Sequence, residues 1–175
     1  MIAKASRELT LVLGGARSGK SRFAESLIAR HSPPWLYVAT AEAGDAEMTA
    51  RIAAHKARRG LDWMTIESPH DLASVVAEQG NRPVLVDCLT LWLSNLMLAD
   101  VDIDAKVARL EQALEQGRGP VVLVANEVGF GVVPENALAR RFRDLQGQLN
   151  QRLAARADRV VLVVAGLPLF MKGAA

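Results

Sequence analysis

Five stretches of the chain are almost wholly apolar, with no alternation: residues 9–13, 35–39, 83–87, 121–126 and 160–165. A strand with one wet face alternates polar and apolar side chains, whereas a strand covered on both faces does not. These runs therefore predict a buried, mostly parallel sheet, and "WMTIES" from Trp63 offers one more strand. Helix-like segments separate them at residues 20–30, 46–58, 72–78, 91–98, 104–116 and 136–157. Strand and helix alternate, so the predicted architecture is an α/β three-layer sandwich. Ligands of such sheets sit beyond the carboxyl ends of the strands, and the residues just after each run are where chemistry is expected.

The first of those places is the most informative. Gly14, Gly19, Lys20 and Ser21 satisfy G-x-x-x-x-G-K-[ST], after a predicted strand and before a predicted helix. Glycines let the backbone curl so that successive N–H groups point at phosphate oxygens, and the new helix adds its positive end. Lys20 then reaches the β- and γ-phosphates, and the Ser21 hydroxyl reaches Mg²⁺. The competing reading is a strand-to-helix turn that binds nothing. "PVLVDC" resembles a Walker B strand, with Asp87 at its end to bind Mg²⁺ directly or through water. A strand-end aspartate that only caps the next helix is the bland alternative.

The rest of the composition mainly excludes. The 175 residues suit one domain, residues 1–175, and no linker, repeat or low-complexity tract divides them. With 21 basic and 19 acidic residues the net charge is only +2, too balanced for a nucleic-acid or anionic-membrane surface. Cys88 is the single cysteine, so no intrachain disulfide forms, and a buried thiol in a reducing compartment is the plain reading. A catalytic cysteine would want a histidine partner, and none lies close in sequence. No apolar stretch of membrane-spanning or signal-peptide character stands out, which points to the cytoplasm.

A P-loop says that phosphate is held, not what accepts it. The guanine-reading NKxD tetrapeptide is absent, because Asn126 and Glu127 are followed by no lysine. In the segment "DAEMTARIAAHKARRGLDW", Glu47, Arg51 and His55 share one helix face at i, i+4 spacing. Such a face could set an imidazole nucleophile against an α-phosphate, with neighbouring cations neutralising departing pyrophosphate. It could equally be a solvated Glu/Arg stripe carrying one surface histidine.

Taken together, "LGGARSGKSRFAE", "YVATAEAGDAEMTARIAAHKARR", "LVDCLTLWLSNL" and "VLVANEVGFGVVPENALARRFRDLQGQLNQRLAARADRVVLVVAGLPL" decide between these. The chain resembles, nearly end to end, the bifunctional adenosylcobinamide kinase / adenosylcobinamide-phosphate guanylyltransferases of cobalamin biosynthesis. That resemblance implies a RecA-like P-loop fold and two reactions on a corrinoid substrate. Adenosylcobinamide is phosphorylated with ATP or GTP, and GMP from GTP is then moved onto the phosphate through a guanylyl-histidine. Matching motif positions make His55 the guanylylated residue. They make Gly14, Gly15, Ala16, Arg17, Ser18, Gly19, Lys20 and Ser21 the triphosphate cradle. Ala39, Thr40 and Ala41 continue the nucleotide site, as do Lys56, Ala57, Arg58 and Arg59, with Glu67 and Asp87 as further contacts. The family also implies a homo-oligomer, a trimer. A kinase without the transfer step, or a P-loop binding protein without turnover, are the narrower alternatives.

The departures from the family pattern are small. The triplet reads "ATA" where ATS is expected, which removes a hydroxyl at Ala41, and Ala54 precedes His55 so that one histidine stands where the family has a doublet. "NEVGFGVVPEN" is a candidate corrinoid or phosphate loop. His31, His70 and the tryptophans Trp35, Trp63 and Trp92 carry no assigned chemistry, the tryptophans reading as packing.

Overall fold

The structure is a computed structural model and describes residues 8–41 and 60–174. The predicted helix over 46–58, with Glu47, Arg51, His55, Lys56, Ala57 and Arg58, lies outside the described residues, as does Arg59.

Seven strands form one sheet: β1 (Leu9–Gly14), β2 (Trp35–Ala39), β3 (Trp63–Glu67), β4 (Val84–Asp87), β5 (Val121–Asn126), β6 (Arg159–Val164) and β7 (Leu167–Lys172). Their order is β3-β2-β4-β5-β1-β6-β7, and every pairing is parallel except β6 with β7. The helices are α1 (Lys20–Ile28), α2 (Leu72–Glu78), α3 (Leu89–Leu98), α4 (Ile103–Gln116) and α5 (Ala137–Arg156).

The unbroken apolar runs have a direct cause in the layering. Leu9, Leu11 and Leu13 of β1 pack into the core shared with α2, α3, α4 and α5, while Val12 packs into the opposite one shared with α1. Both faces of a central strand need apolar side chains, so the period of two is invisible. Asp71, Asp102 and Asn136 cap α2, α4 and α5 by accepting from first-turn N–H groups, which is why these helices start where they do.

Strand β7 is the element absent from the sequence reading. Its hairpin turn places Ala165 at φ 52° and Gly166 at φ 79°, a left-handed pair in which alanine is an unusual first member. Pro168 inside the following run also argues against a strand, but it is tolerated because β7 is an edge.

Helices α4 and α5 are fastened by Glu111, nearly buried, which takes both arms of Arg152 at 2.9 and 2.8 Å and lies 3.3 Å from Arg156. The hydrogen bonds from Arg152 hold the Glu111 carboxyl below its ordinary value of 4.5, against the opposing effect of burial. A carboxyl depressed on folding adds stability above its unfolded pKa and loses it as pH falls through the folded value. Glu111→Gln is therefore expected to cost about 1–3 kcal/mol near neutral pH. In urea titrations at stepped pH, its gap from the wild type should close below about pH 4.5.

Candidate active site

The parallel order brings those predicted residues that the structure describes to one edge. Ala39 is in register with Glu67 on one side and with Asp87 on the other, and Gly14 is in register with Asn126. Residues 14–21 leave that edge as a tight loop and become α1. Gly14 has no room for a side chain, since a Cβ there would lie 2.7 Å from the Val163 carbonyl oxygen. Gly19, at φ 93°, is the N-cap of α1 and offers no side-chain acceptor. The first-turn N–H groups of α1 thus keep their hydrogen-bonding capacity for an anion. Arg17 is also left-handed, at φ 56°. Gly166 of the β6–β7 turn donates to the Ser18 carbonyl at 2.8 Å, so the hairpin braces the loop from behind. Gly15, Ala16 and Arg17 are exposed along it, Ser18 is buried, and Lys20 and Ser21 are half-buried at the helix start.

Lys20 Nζ donates to the Gly15 carbonyl at 3.0 Å, which folds the amine back over the loop it serves. Asp87 ends β4 on the α1 face, because it shares side-chain parity with Leu85, a member of the core beneath α1. The Asp87–Cys88 peptide is cis. Burial, followed by the charge of Asp87, pushes the Cys88 thiol up to about 11, with Lys20 acting weakly the other way. The thiol is protonated at neutral pH and inert, so the catalytic-cysteine reading is set aside.

Thr40 is fully buried, and its side chain is already committed. Its hydroxyl donates to the Cys88 carbonyl at 2.7 Å and accepts from the Cys88 N–H at 2.8 Å. Any contact of Thr40 with nucleotide is left to its backbone. Glu67 is exposed at the end of β3, and Ala41 is the last residue described before the segment that carries His55.

Five supporting residues escaped the sequence reading. Tyr37, the single tyrosine, donates its hydroxyl to Asp87 Oδ2 at 3.1 Å. Asn95 donates to the carbonyls of Thr40 and Pro69 at 2.8 and 3.2 Å, tying the loops after β2 and β3 to α3. Its signal was available, since an amide in the largely apolar "LTLWLSNLML" has to find partners. Asn150, held by Gln146 at 2.9 Å, donates to the Asn126 carbonyl at 3.2 Å, and Thr90 accepts the Asn126 N–H at 2.7 Å. Part of the "GQLNQ" motif is thus a clamp on the end of β5. Trp92 is core, donating to the His70 carbonyl, and Trp35 packs on its register partner Trp63 with ring centroids 5.2 Å apart.

A family profile described as cobinamide kinase / cobinamide phosphate guanyltransferase matches residues 10–171. The chain belongs to the cobinamide kinase / cobinamide phosphate guanyltransferase family. It is accordingly an enzyme with two activities, a kinase and a guanylyltransferase. The bifunctional adenosylcobalamin biosynthesis protein CobP of Pseudomonas aeruginosa is 51% identical over 168 residues, covering 93% of this chain and 96% of that protein. CobU of Salmonella typhimurium, of the same description, is 42% identical over 181 residues, covering 94% and 99%. Among solved structures, the flagellar accessory protein FlaH of Methanocaldococcus jannaschii aligns at TM-score 0.53 and 13% identity, covering 95% of this chain and 78% of that one. A type III secretion ATPase of pathogenic bacteria aligns at TM-score 0.57 and 13% identity, covering 93% and 56%. Those likenesses speak to the fold, a P-loop sheet shared between this family and RecA-like ATPases.

Proposed function

We propose that the chain phosphorylates the aminopropanol hydroxyl of adenosylcobinamide with ATP or GTP. It then transfers GMP from GTP to the new phosphate through guanylyl-His55, giving adenosylcobinamide-GDP and pyrophosphate. The observation that carries this reading is the P-loop at the carboxyl edge of the sheet with Asp87 beside it, in a chain of this family.

Residues 14–21 would hold the triphosphate. Ala39, Thr40, Ala41, Lys56, Ala57, Arg58, Arg59 and Glu67 would complete the nucleotide site. Ser21 and Asp87 offer oxygen donors, which suit Mg²⁺, an ion that keeps water and substrate phosphates as its other ligands. Bound there, Mg²⁺ would neutralise charge on the β- and γ-oxygens. Lys20 would leave the Gly15 carbonyl for the same phosphates, and the α1 N-terminus would add its dipole. In the second reaction a nitrogen of His55 attacks the α-phosphorus and pyrophosphate departs. An oxygen of cobinamide phosphate then attacks the same phosphorus and frees the imidazole.

The loop after β5 suits the corrinoid. Phe130, Val132 and Val133 are exposed at 86%, 95% and 59%, and the loop starts against the P-loop, where the Glu127 N–H donates to the Gly14 carbonyl at 3.2 Å. Apolar side chains held open to solvent beside a phosphate site fit a bulky, partly apolar acceptor. Leu167, Leu169 and Met171 on edge strand β7 are likewise exposed, which supports a contact between copies of the chain; the trimer of single-domain chains, residues 1–175, is the assembly that the family resemblance implies. No helix among the described residues is long and apolar enough to cross a membrane. The enzyme is proposed to act in the cytoplasm, with neither nucleic acid nor membrane as partner.

The test follows adenosylcobinamide by chromatography and mass spectrometry. ATP alone should yield the phosphate ester and stop there. Added GTP should convert that ester to the GDP derivative with one pyrophosphate released per corrinoid. Folded protein that converts neither corrinoid would overturn the reading.

A further inference from the structure

We infer that Tyr37, with Thr40, is a positioning residue for the metal-binding carboxylate of Asp87, so that β2 sets the metal affinity of the site. The inference rests on the reading of Asp87 as the Mg²⁺ partner.

The geometry is specific to one oxygen. Tyr37 and Ala39 face the α1 side of β2, as Leu85 and Asp87 do on the adjacent β4. Tyr37 therefore lies one pleat back from the end of the sheet, and its hydroxyl reaches forward to Asp87 Oδ2 at 3.1 Å. Among the described residues, no hydrogen bond is made to Oδ1. A carboxylate held at one oxygen presents the other in a fixed direction, and outer bonds of this kind orient metal-binding carboxylates generally. The tyrosine itself is locked, being 4% exposed with its ring edge-on to Trp63 at 6.2 Å. Thr40 completes the restraint by taking both the N–H and the carbonyl of Cys88, the residue after Asp87. Side chain and backbone of Asp87 are thus fixed by β2 and by the residue that follows it.

A tyrosine hydroxyl could instead take the nearest acceptor merely to avoid burial unpaired. Metal binding separates the two. Mn²⁺ would be titrated into protein saturated with an ATP analogue imido-bridged between its β- and γ-phosphates, with free Mn²⁺ read by electron paramagnetic resonance. Tyr37→Phe keeps the ring and is expected to weaken Mn²⁺ about three- to tenfold, the range for one lost hydrogen bond. Its affinity for the analogue in EDTA should stay at the wild-type value. Thr40→Val should weaken Mn²⁺ likewise, and Thr40→Ser, which keeps the hydroxyl, should restore it.

Asp87→Asn tells apart the two ways of failing. If it loses Mn²⁺ while Tyr37→Phe binds as the wild type does, the positioning role is wrong and Asp87 keeps its place. If Asp87→Asn binds Mn²⁺ normally, both ideas fall. Equal weakening of metal-free analogue by Tyr37→Phe would show a general disturbance and also overturn the inference.

Discussion

His55→Ala is expected to carry no GMP after incubation with GTP and Mg²⁺, whereas the wild-type chain gains the mass of one GMP group. Guanylyl transfer should fall at least about a thousandfold, as when a covalent nucleophile is removed. Cobinamide phosphorylation with ATP should continue, because the role proposed for His55 is at the α-phosphate and not at the γ-phosphate. The basis is chemical. A phosphoramidate needs a neutral imidazole nitrogen, and the proposed role of Arg51, Lys56, Arg58 and Arg59, which are close to His55 in sequence, is to draw in polyphosphate. The chain has two other histidines. His31 lies past the far end of α1, lining a hollow at the amino ends of β1 and β5. His70 follows β3 and stands near the active edge, so His70→Ala is the necessary control. It should form the adduct normally. An adduct that survives His55→Ala and vanishes in His70→Ala would move the nucleophile to His70.

The readable parts of this chain were those whose physics is local. Five strands could be placed because both faces of a central parallel strand are apolar, and α1 because glycines and Lys20 announce a phosphate turn. β7 was hidden by Ala165 and Pro168, residues that contradict hairpin chemistry and survive only at an edge. The catalytic loop and Asp87 were visible as motif, but what holds Asp87 was not. The Tyr37–Asp87 bond spans 50 residues and exists only because β2 and β4 are neighbours, and no spacing in the sequence encodes that. Thr40 is a second case in which only the fold shows what a side chain does. Motif position marked it as a nucleotide contact, yet its side chain serves the backbone of Cys88.

Lys20→Ala is expected to slow both reactions, and this sets it apart from His55→Ala. In phosphorylation the γ-phosphate is the group transferred, while in guanylylation the β- and γ-phosphates depart together as pyrophosphate. A cation that settles charge on those oxygens helps in each case, and removing one such preorganised group costs about 10²–10³ in kcat. Folding should be spared, because alanine is a good first-turn residue. Lys20→Arg should not rescue the enzyme, since a planar guanidinium does not reproduce a compact ammonium in so tight a loop. The measurements are kcat for cobinamide phosphorylation with ATP and the single-turnover rate of GMP adduct formation with GTP. Parallel losses would mean that one cradle, residues 14–21, presents its nucleotide in turn to the corrinoid hydroxyl and to His55. A slow kinase with an adduct rate untouched would require a second triphosphate site on the chain. His55 and its neighbouring arginines would then have to hold GTP without the P-loop.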